Sequence, residues 1–192
     1  MLTKYKDFDI EVVDDDNFDP TSVDNYHKYN YVFSVDEGND RYRYHSKHGV
    51  RVSQYGEEIA SAVVLGGKGR TLVSENAFII DNDLILICCS NLVYALHLPL
   101  LSLSWQKELD FATCFGIYKF RNDFLVHGEL EISRVSADGI IKWQFGARDI
   151  FVGRERRKGF EIIGNTIRLV DFEGYEYVLD ENGKIISDAG KL

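Results

Sequence analysis

The stretch of residues 124–149 constrains the fold more than any other part of this chain. Its first half alternates apolar and polar side chains, so one face of an extended strand over residues 124–133 can be buried while the other stays polar. Asp138 and Gly139 follow, and this pair is typical of a tight hairpin turn. The second half is rich in β-branched and aromatic residues, including Trp143, as strands are. The stretch therefore predicts a β-hairpin.

Short extended segments of the same kind recur along most of the chain. Aromatic residues make up 13% of the 192 residues and apolar residues 45%, with two prolines, which excludes a disordered chain and favours strands. The run over residues 84–89 is apolar throughout, which is typical of a strand covered on both faces. The other predicted strands cover residues 7–13, 31–35, 59–65, 77–80, 92–98, 103–109 and 115–120.

The N-terminal region carries weaker signals. The acidic run Asp14–Asp16 predicts a solvated turn, since it lacks the ligand spacing of a calcium loop. Thr21 or Ser22 can cap a short helix that ends near Tyr29. We also expect a turn around Gly49.

A repeat runs through the second half of the sequence. Residues 93–110 and 131–149 align so that Trp105 and Trp143, each followed by Gln, superpose at a separation of 38 residues. Residues 175–187 form a weaker third copy with a similar turn and no tryptophan. Repeats of about 40 residues built from short strands are typical of β-propeller blades.

The segment over residues 136–143, with its Asp-Gly turn, strand and tryptophan, resembles the blade repeat of quinoprotein-type β-propellers. Residues 127–133 together with residues 148–151 resemble a motif of small uncharacterised bacterial proteins, which implies no function. The propeller resemblance implies stacked four-stranded sheets. It does not imply quinone chemistry, because this sequence matches no catalytic motif of that family. We therefore expect no cofactor.

These signals together predict an all-β protein. We expect antiparallel meanders that form a partial or divergent β-propeller-like stack of four-stranded sheets with few helical turns. An acidic N-terminal meander over residues 1–65 would pack on a repeat region over residues 66–192. A closed propeller needs at least four blades, so three repeats require the N-terminal strands as a divergent blade, a partner chain, or an open stack.

The charge distribution limits the partners. The net charge is −9, and residues 1–65 hold 13 acidic against 7 basic side chains, so nucleic acid is not an expected partner. The chain has no apolar run of membrane-spanning length, and its first residues lack the apolar region of a signal peptide. Three cysteines without metal-binding spacing agree with a cytoplasmic protein that has no membrane partner.

The polar face of the predicted strand over residues 124–133 carries His127, Glu129 and Glu131. Neighbours on one face are about 6.6 Å apart, so His127 and Glu129 could hold one metal ion or act as an acid/base pair on one water. Ordinary pairing of this polar face with a cross-strand arginine, Arg134 or Arg148, explains the same residues and is the favoured interpretation.

A basic cluster follows between glycines and reads as an exposed loop tip. Its members are Arg154, Arg156, Arg157 and Lys158. The cluster could engage an acidic protein surface, including the acidic N-terminal region of a second copy, or it could simply be solvated.

No complete catalytic set accompanies these residues in the sequence, so we expect a non-enzymatic binding protein that recognises a protein partner, or a second copy, through exposed loops. The alternative is a metal-assisted hydrolase or a small-ligand site centred on His127 and Glu129. A third hypothesis is a structural subunit whose open edge strand pairs with another chain.

Overall fold

The regular structure consists of β-strands. The computed structural model describes residues 1–35, 44–152 and 158–191, and in these ranges no helix is present and none could therefore cross a membrane. The strands are β1 (Leu2–Tyr5), β2 (Phe8–Asp14), β3 (Tyr31–Phe33), β4 (Ser46–Gln54), β5 (Glu57–Gly66), β6 (Phe78–Asp81), β7 (Leu84–Cys89), β8 (Leu92–His97), β9 (Ser102–Glu108), β10 (Cys114–Phe120), β11 (Asp123–Gly128), β12 (Glu131–Val135), β13 (Ile141–Gly146), β14 (Phe160–Ile163), β15 (Thr166–Val170), β16 (Tyr175–Leu179) and β17 (Ile185–Lys191).

The strands form four sheets. Sheet 1 has the order β1-β2-β4-β5-β3, and only β3 is parallel to its neighbour. Sheet 2 (β6–β9), sheet 3 (β10–β13) and sheet 4 (β14–β17) are four-stranded antiparallel meanders in sequence order. The predicted all-β class with four-stranded antiparallel sheets is confirmed.

The sheets stack in chain order around three apolar cores. One core joins sheets 1 and 2, the next joins sheets 2 and 3, and the third joins sheets 3 and 4. The neighbours Cys88 and Cys89 point to opposite faces of β7 and enter two different cores. No core cluster of the described chain contains residues of both sheet 4 and sheet 1, so the stack is open and has two ends. The predicted division at residues 65 and 66 stays a prediction, although sheets 1 and 2 share one core.

Two tryptophans connect sheet 2 to sheet 3 and sheet 3 to sheet 4. The Nε1 atom of Trp105 in sheet 2 donates to the carbonyl of Ala137 in sheet 3 at 2.7 Å. In the same way Trp143 in sheet 3 donates to the carbonyl of Glu181 in sheet 4 at 3.0 Å. Each ring lies on a turn glycine: a Cβ on Gly139 would come within 2.8 Å of Trp105, and one on Gly183 within 2.6 Å of Trp143. Both glycines have positive φ, 78° and 74°, which a side chain would disfavour as well.

Sheet 4 lacks the next tryptophan in this series. Trp143 pairs with Arg134 across β12 and β13, next to a bulge in the register. The matching pair in sheet 4 is Val178 with Ser187, also next to a bulge. Ser187 therefore occupies the position of Trp143, on a sheet that packs against no further sheet of the described chain.

The outward face of sheet 4 is charged where the equivalent face of sheet 3 is apolar. The sheet 3 positions that face sheet 4 include Tyr118, Leu125 and Ile132. The strand registers place Glu161, Arg168 and Glu176 at the corresponding positions of sheet 4. Arg168 bridges the two carboxylates, with N···O distances of 3.2 Å to Glu161 and 2.6 Å to Glu176. This end of the stack therefore presents paired charges to solvent.

The outward face of sheet 1 carries an apolar patch that is covered by residues 15–30, which we call the covering segment. Phe18 and Tyr29 of this segment pack with Val63 and Leu65 of β5. The ammonium group of Lys47 fixes the segment by donating to the carbonyls of Asp16 at 3.1 Å and Phe18 at 2.7 Å.

Three sequence predictions in this region need correction. The covering segment contains turns and bends, so the helix expected up to Tyr29 is wrong. The turn expected around Gly49 is wrong, because Gly49 lies inside β4, where any Cβ would collide with the Tyr29 hydroxyl. The acidic run does form a turn, but its carboxylates are bound: Asp14 contacts His48 at 3.0 Å, Asp15 accepts from Tyr29 at 2.8 Å and Asp16 pairs with Arg70 at 2.7 Å.

Candidate functional site

The predicted common face of His127, Glu129 and Glu131 is wrong. Instead of one strand over residues 124–133, β11 ends at Gly128 and β12 begins at Glu131, so the chain reverses between them. The buried carboxylate of Asp110 causes the reversal, because its Oδ2 accepts from the backbone N–H groups of Leu130 at 2.8 Å and Glu131 at 2.9 Å. Gly128 lets this carboxylate approach, since a Cβ there would collide with it.

His127 is packed between aromatic rings. Its ring stacks on Phe160 with centroids 4.9 Å apart and meets the edge of Phe115 at 5.4 Å. Its Nε2 lies 3.1 Å from the carbonyl oxygen of Phe151 and donates to it. Burial lowers the pKa of His127 below its usual value, which favours the neutral imidazole in this packed position.

The two glutamates have separate surroundings. The backbone N–H of Glu129 donates to the carbonyl of Thr113 at 2.8 Å. The carboxylate of Glu131 accepts from Gln144 at 2.7 Å, and burial, followed by the nearby charge of Asp110, raises the pKa of Glu131. In the ranges that the structure describes, no three His, Cys, Asp or Glu side chains are grouped to hold a metal ion. A ligand at His127 and Glu129 stays a prediction.

The structure brings His127 close to one member of the basic cluster. A cleft of about 260 Å³ opens between sheets 3 and 4, and Tyr118, Phe160 and Lys158 line it. Phe160 therefore separates His127 from the cleft that holds Lys158. Arg154, Arg156 and Arg157 lie outside the described residues. The Nζ of Lys158 is 3.5 Å from a carboxylate oxygen of Glu161, so the cleft wall is mixed in charge.

A second surface, on the covering segment, was not predicted from the sequence. Val23 is 83% exposed and Tyr26 is fully exposed, although both are large apolar or aromatic side chains. Val23 forms part of the wall of a pocket of about 310 Å³, and Tyr26 lies three residues further along the same loop. The pocket is lined by Phe18, Pro20, Ser22, Val23, Asn25, His27, Lys28, Tyr29 and Val32.

Side-chain hydrogen bonds hold this loop in one shape. The amide of Asn25 accepts from the backbone N–H of Asp19 at 2.7 Å and donates to the carbonyls of Asp19 at 2.8 Å and Ser22 at 2.9 Å. The carboxylate of Asp19 in turn accepts from the backbone N–H of Thr21 at 2.9 Å. Such local bonds are what Asp, Asn and Ser supply in turns. The loop is therefore ordered without burying Val23 or Tyr26.

The sequence did contain one signal for this loop. Pro20, Ser22 and Asn25 are turn-forming residues: the first two precede Val23, and Asn25 precedes Tyr26. They argue for a turn in place of the expected helix. Exposure of the two apolar side chains depends on how the segment lies over sheet 1, which local sequence does not encode.

Comparison with known proteins supports the fold alone. The sequence matches no protein-family model and no curated protein. Among solved structures, the computationally designed Ika8 protein has a TM-score of 0.52 at 9% identity, over 77% of this chain and 46% of that one. The chain has a β-propeller-like fold.

Two natural proteins show weaker similarity to this β-propeller-like chain. The WD40 domain of Neurospora crassa Pan2 has a TM-score of 0.48 at 8% identity, over 60% of this chain and 38% of that one. BamB from Moraxella catarrhalis has a TM-score of 0.47 at 14% identity, over 72% of this chain and 42% of that one. The chain spans less than half the length of each of the three structures.

Proposed function

We propose that this protein is a non-enzymatic interaction module that recognises a partner protein through the covering segment. The observation that carries the proposal is the exposure of Val23 and Tyr26 on an ordered loop beside a formed pocket. Exposed apolar groups that lie together on a surface mark binding sites more often than isolated ones do. Tyrosine is among the residues that are enriched in binding hot spots.

The order of the loop supports binding on energetic grounds. Association has to offset the entropy lost when flexible groups become fixed, at about 0.5–1.5 kcal/mol for each mobile side chain. The bonds of Asn25 and Asp19 fix the backbone around Val23 before any partner arrives. Less of the free energy gained from apolar contact is then lost to ordering the loop.

Affinity capture from cell extract with matched variants tests this proposal. The double variant Val23→Ser/Tyr26→Ser removes the two exposed side chains, and Tyr55→Asn removes a tyrosine that is 89% exposed in the turn between β4 and β5. We expect a partner that is retained by the wild type and by Tyr55→Asn, and reduced at least about tenfold by the double variant. Unfolding free energies should agree within about 0.5 kcal/mol, as for most surface changes. Equal capture by all three proteins would rule out the covering segment as the binding surface.

The finer assignments are proposals as well. We propose that the repeat is of the quinoprotein type, supported by Trp105 and Trp143, each of which lies on the turn glycine of the following sheet. A cytoplasmic location is supported by the three cysteines, which are free and buried. The assignment to a bacterial protein family rests on sequence resemblance alone.

A further inference from the structure

We propose that the partner presents a basic surface carrying one protruding aliphatic or aromatic side chain, which enters the pocket beside Val23. This inference rests on the proposed function and adds the chemistry of the partner. It follows from two properties of the covering segment, its charge and the shape of its pocket.

The covering segment carries a net negative charge. Residues 15–30 contain four aspartates and one lysine, a net charge of −3 with His27 neutral. Three cations from elsewhere reach the segment: Arg70 pairs with Asp16 at 2.7 Å, Lys47 binds backbone carbonyls beneath the segment, and Arg51 contacts Tyr29. Arg51 is itself paired with Glu11 at 3.3 Å, so that pair adds no net charge, and the segment stays negative when Arg70 and Lys47 are counted.

The negative groups stand beside the apolar contact. Asp24 is exposed next to Val23 in the chain, and Asp19 lies in the same hydrogen-bonded loop. Lys28 lines the pocket, and His27 lies 3.3 Å from Glu58. A basic partner is attracted by exposed Asp24 and repelled by Lys28 at this rim, and the net charge of −9 on the whole protein increases its rate of encounter.

The pocket has the form of a site for one side chain. Its apolar wall combines Phe18, Pro20, Val23 and Tyr29. The Tyr29 ring is held in place because its hydroxyl donates to Asp15 at 2.8 Å. An apolar side chain that enters this pocket leaves water at a gain of about 25 cal/mol for each Å² buried.

Titration of the isotope-labelled protein with defined peptides, followed by NMR, tests the partner chemistry. The probes are three 12-residue peptides: one rich in Lys and Arg with a central Trp, the same peptide with Ala in place of Trp, and an acidic peptide with the Trp. We expect the basic Trp peptide to shift the signals of residues 18–32 and to bind at least about tenfold more tightly than either of the others. Raising the salt from about 50 mM to about 300 mM should weaken this binding several-fold.

Variants assign the binding to the segment. Val23→Ser/Tyr26→Ser should weaken the basic Trp peptide about tenfold, Asp24→Lys should weaken it several-fold, and Tyr55→Asn should leave it unchanged. Equal binding of the acidic peptide, indifference to the loss of Trp, or no binding of any peptide at about 1 mM would overturn the inference.

The capture experiment separates this inference from the proposed function. A captured partner that requires Val23 and Tyr26 but is insensitive to salt and to Asp24→Lys would leave the proposed function standing and remove the basic partner. Absence of any partner that depends on Val23 and Tyr26 would remove the proposed function itself.

Discussion

The two terminal sheets of the stack protect their outward faces in different ways. At one end sheet 1 has an apolar patch, Val63 and Leu65, on its outward face, and the covering segment buries it beneath Phe18 and Tyr29. At the other end sheet 4 has paired charges centred on Arg168 at outward positions that are apolar in sheet 3. An open stack must protect each terminal face from water or from other chains, and either a cover or a charged surface does so.

This difference separates the roles of the two ends. In the described chain no segment covers the charged end. Ser187 stands there at the position that Trp143 has in sheet 3, so the tryptophan contact to a following sheet is missing. The covered end is protected by the covering segment, and Val23 and Tyr26 of this segment are exposed to solvent. The proposed binding surface therefore lies on the covering segment.

The largest expected effect comes from opening the covered end. Phe18→Ala removes a buried ring from the cluster with Val63 and Leu65, and we expect it to lower the free energy of unfolding by about 3–4 kcal/mol. The matched change at the charged end is Val178→Ala, on the outward face of sheet 4, which should cost less than about 1 kcal/mol. Urea unfolding measures both. Similar losses at the two positions would mean that the ends are not built differently.

The second prediction is that the protein associates with itself when the charged end is made apolar. The triple variant Glu161→Tyr/Arg168→Leu/Glu176→Ile gives sheet 4 the side chains that sheet 3 has at the same positions. We expect this face to associate with other copies, with a mass above that of the wild type by light scattering at about 100 µM, because large exposed apolar patches drive association.

The control for this variant reverses the charges, with Glu161→Arg/Arg168→Glu/Glu176→Arg. It keeps the face polar and should keep the wild-type mass. A triple variant with the same mass as the wild type would show that these charges do not protect the end of the stack.

The smallest effect concerns the acid sensitivity of the covered end. The hydrogen bond from His48 lowers the pKa of Asp14, and the backbone N–H of Val73 adds to this effect. Because the folded-state pKa is depressed, the stabilisation is present above the ordinary pKa of aspartate, near 4, and is lost as the pH falls through the folded value. The Asp14→Asn variant should therefore have a lower free energy of unfolding than the wild type at pH 7. Its free energy of unfolding should fall less than that of the wild type when the pH is lowered.

Urea midpoints at pH 7 and pH 3 measure this difference. The gap between wild type and Asp14→Asn should narrow at pH 3. A gap that is equal at both pH values would show that Asp14 contributes to stability without its charge.

Local sequence predicted the strands well where side chains alternate or are apolar throughout. The run over residues 84–89 coincides with β7, and the aligned tryptophans mark equivalent outer strands of sheets 2 and 3. It failed at Gly128, where the alternation continued through a chain reversal that Asp110, from another part of the chain, stabilises. It failed at Gly49 for a related reason, since that glycine admits the Tyr29 ring and makes no turn.

The candidate sites were harder to predict than the strands. His127 was identified as a polar residue on an open face, yet it packs against Phe160 from sheet 4, which lies more than 30 residues further along the chain. The sequence does not mark Val23 and Tyr26 as exposed, because apolar residues are expected in the core. Their exposure depends on the placement of the whole covering segment.

The sequence by itself determined the all-β class, most strand positions and the repeat marked by Trp105 and Trp143, because period-two alternation and turn residues act over a few neighbours. The tertiary structure decided which faces are covered, where the stack ends and which side chains meet solvent. Those properties depend on contacts between segments far apart in the chain, and no local pattern records them.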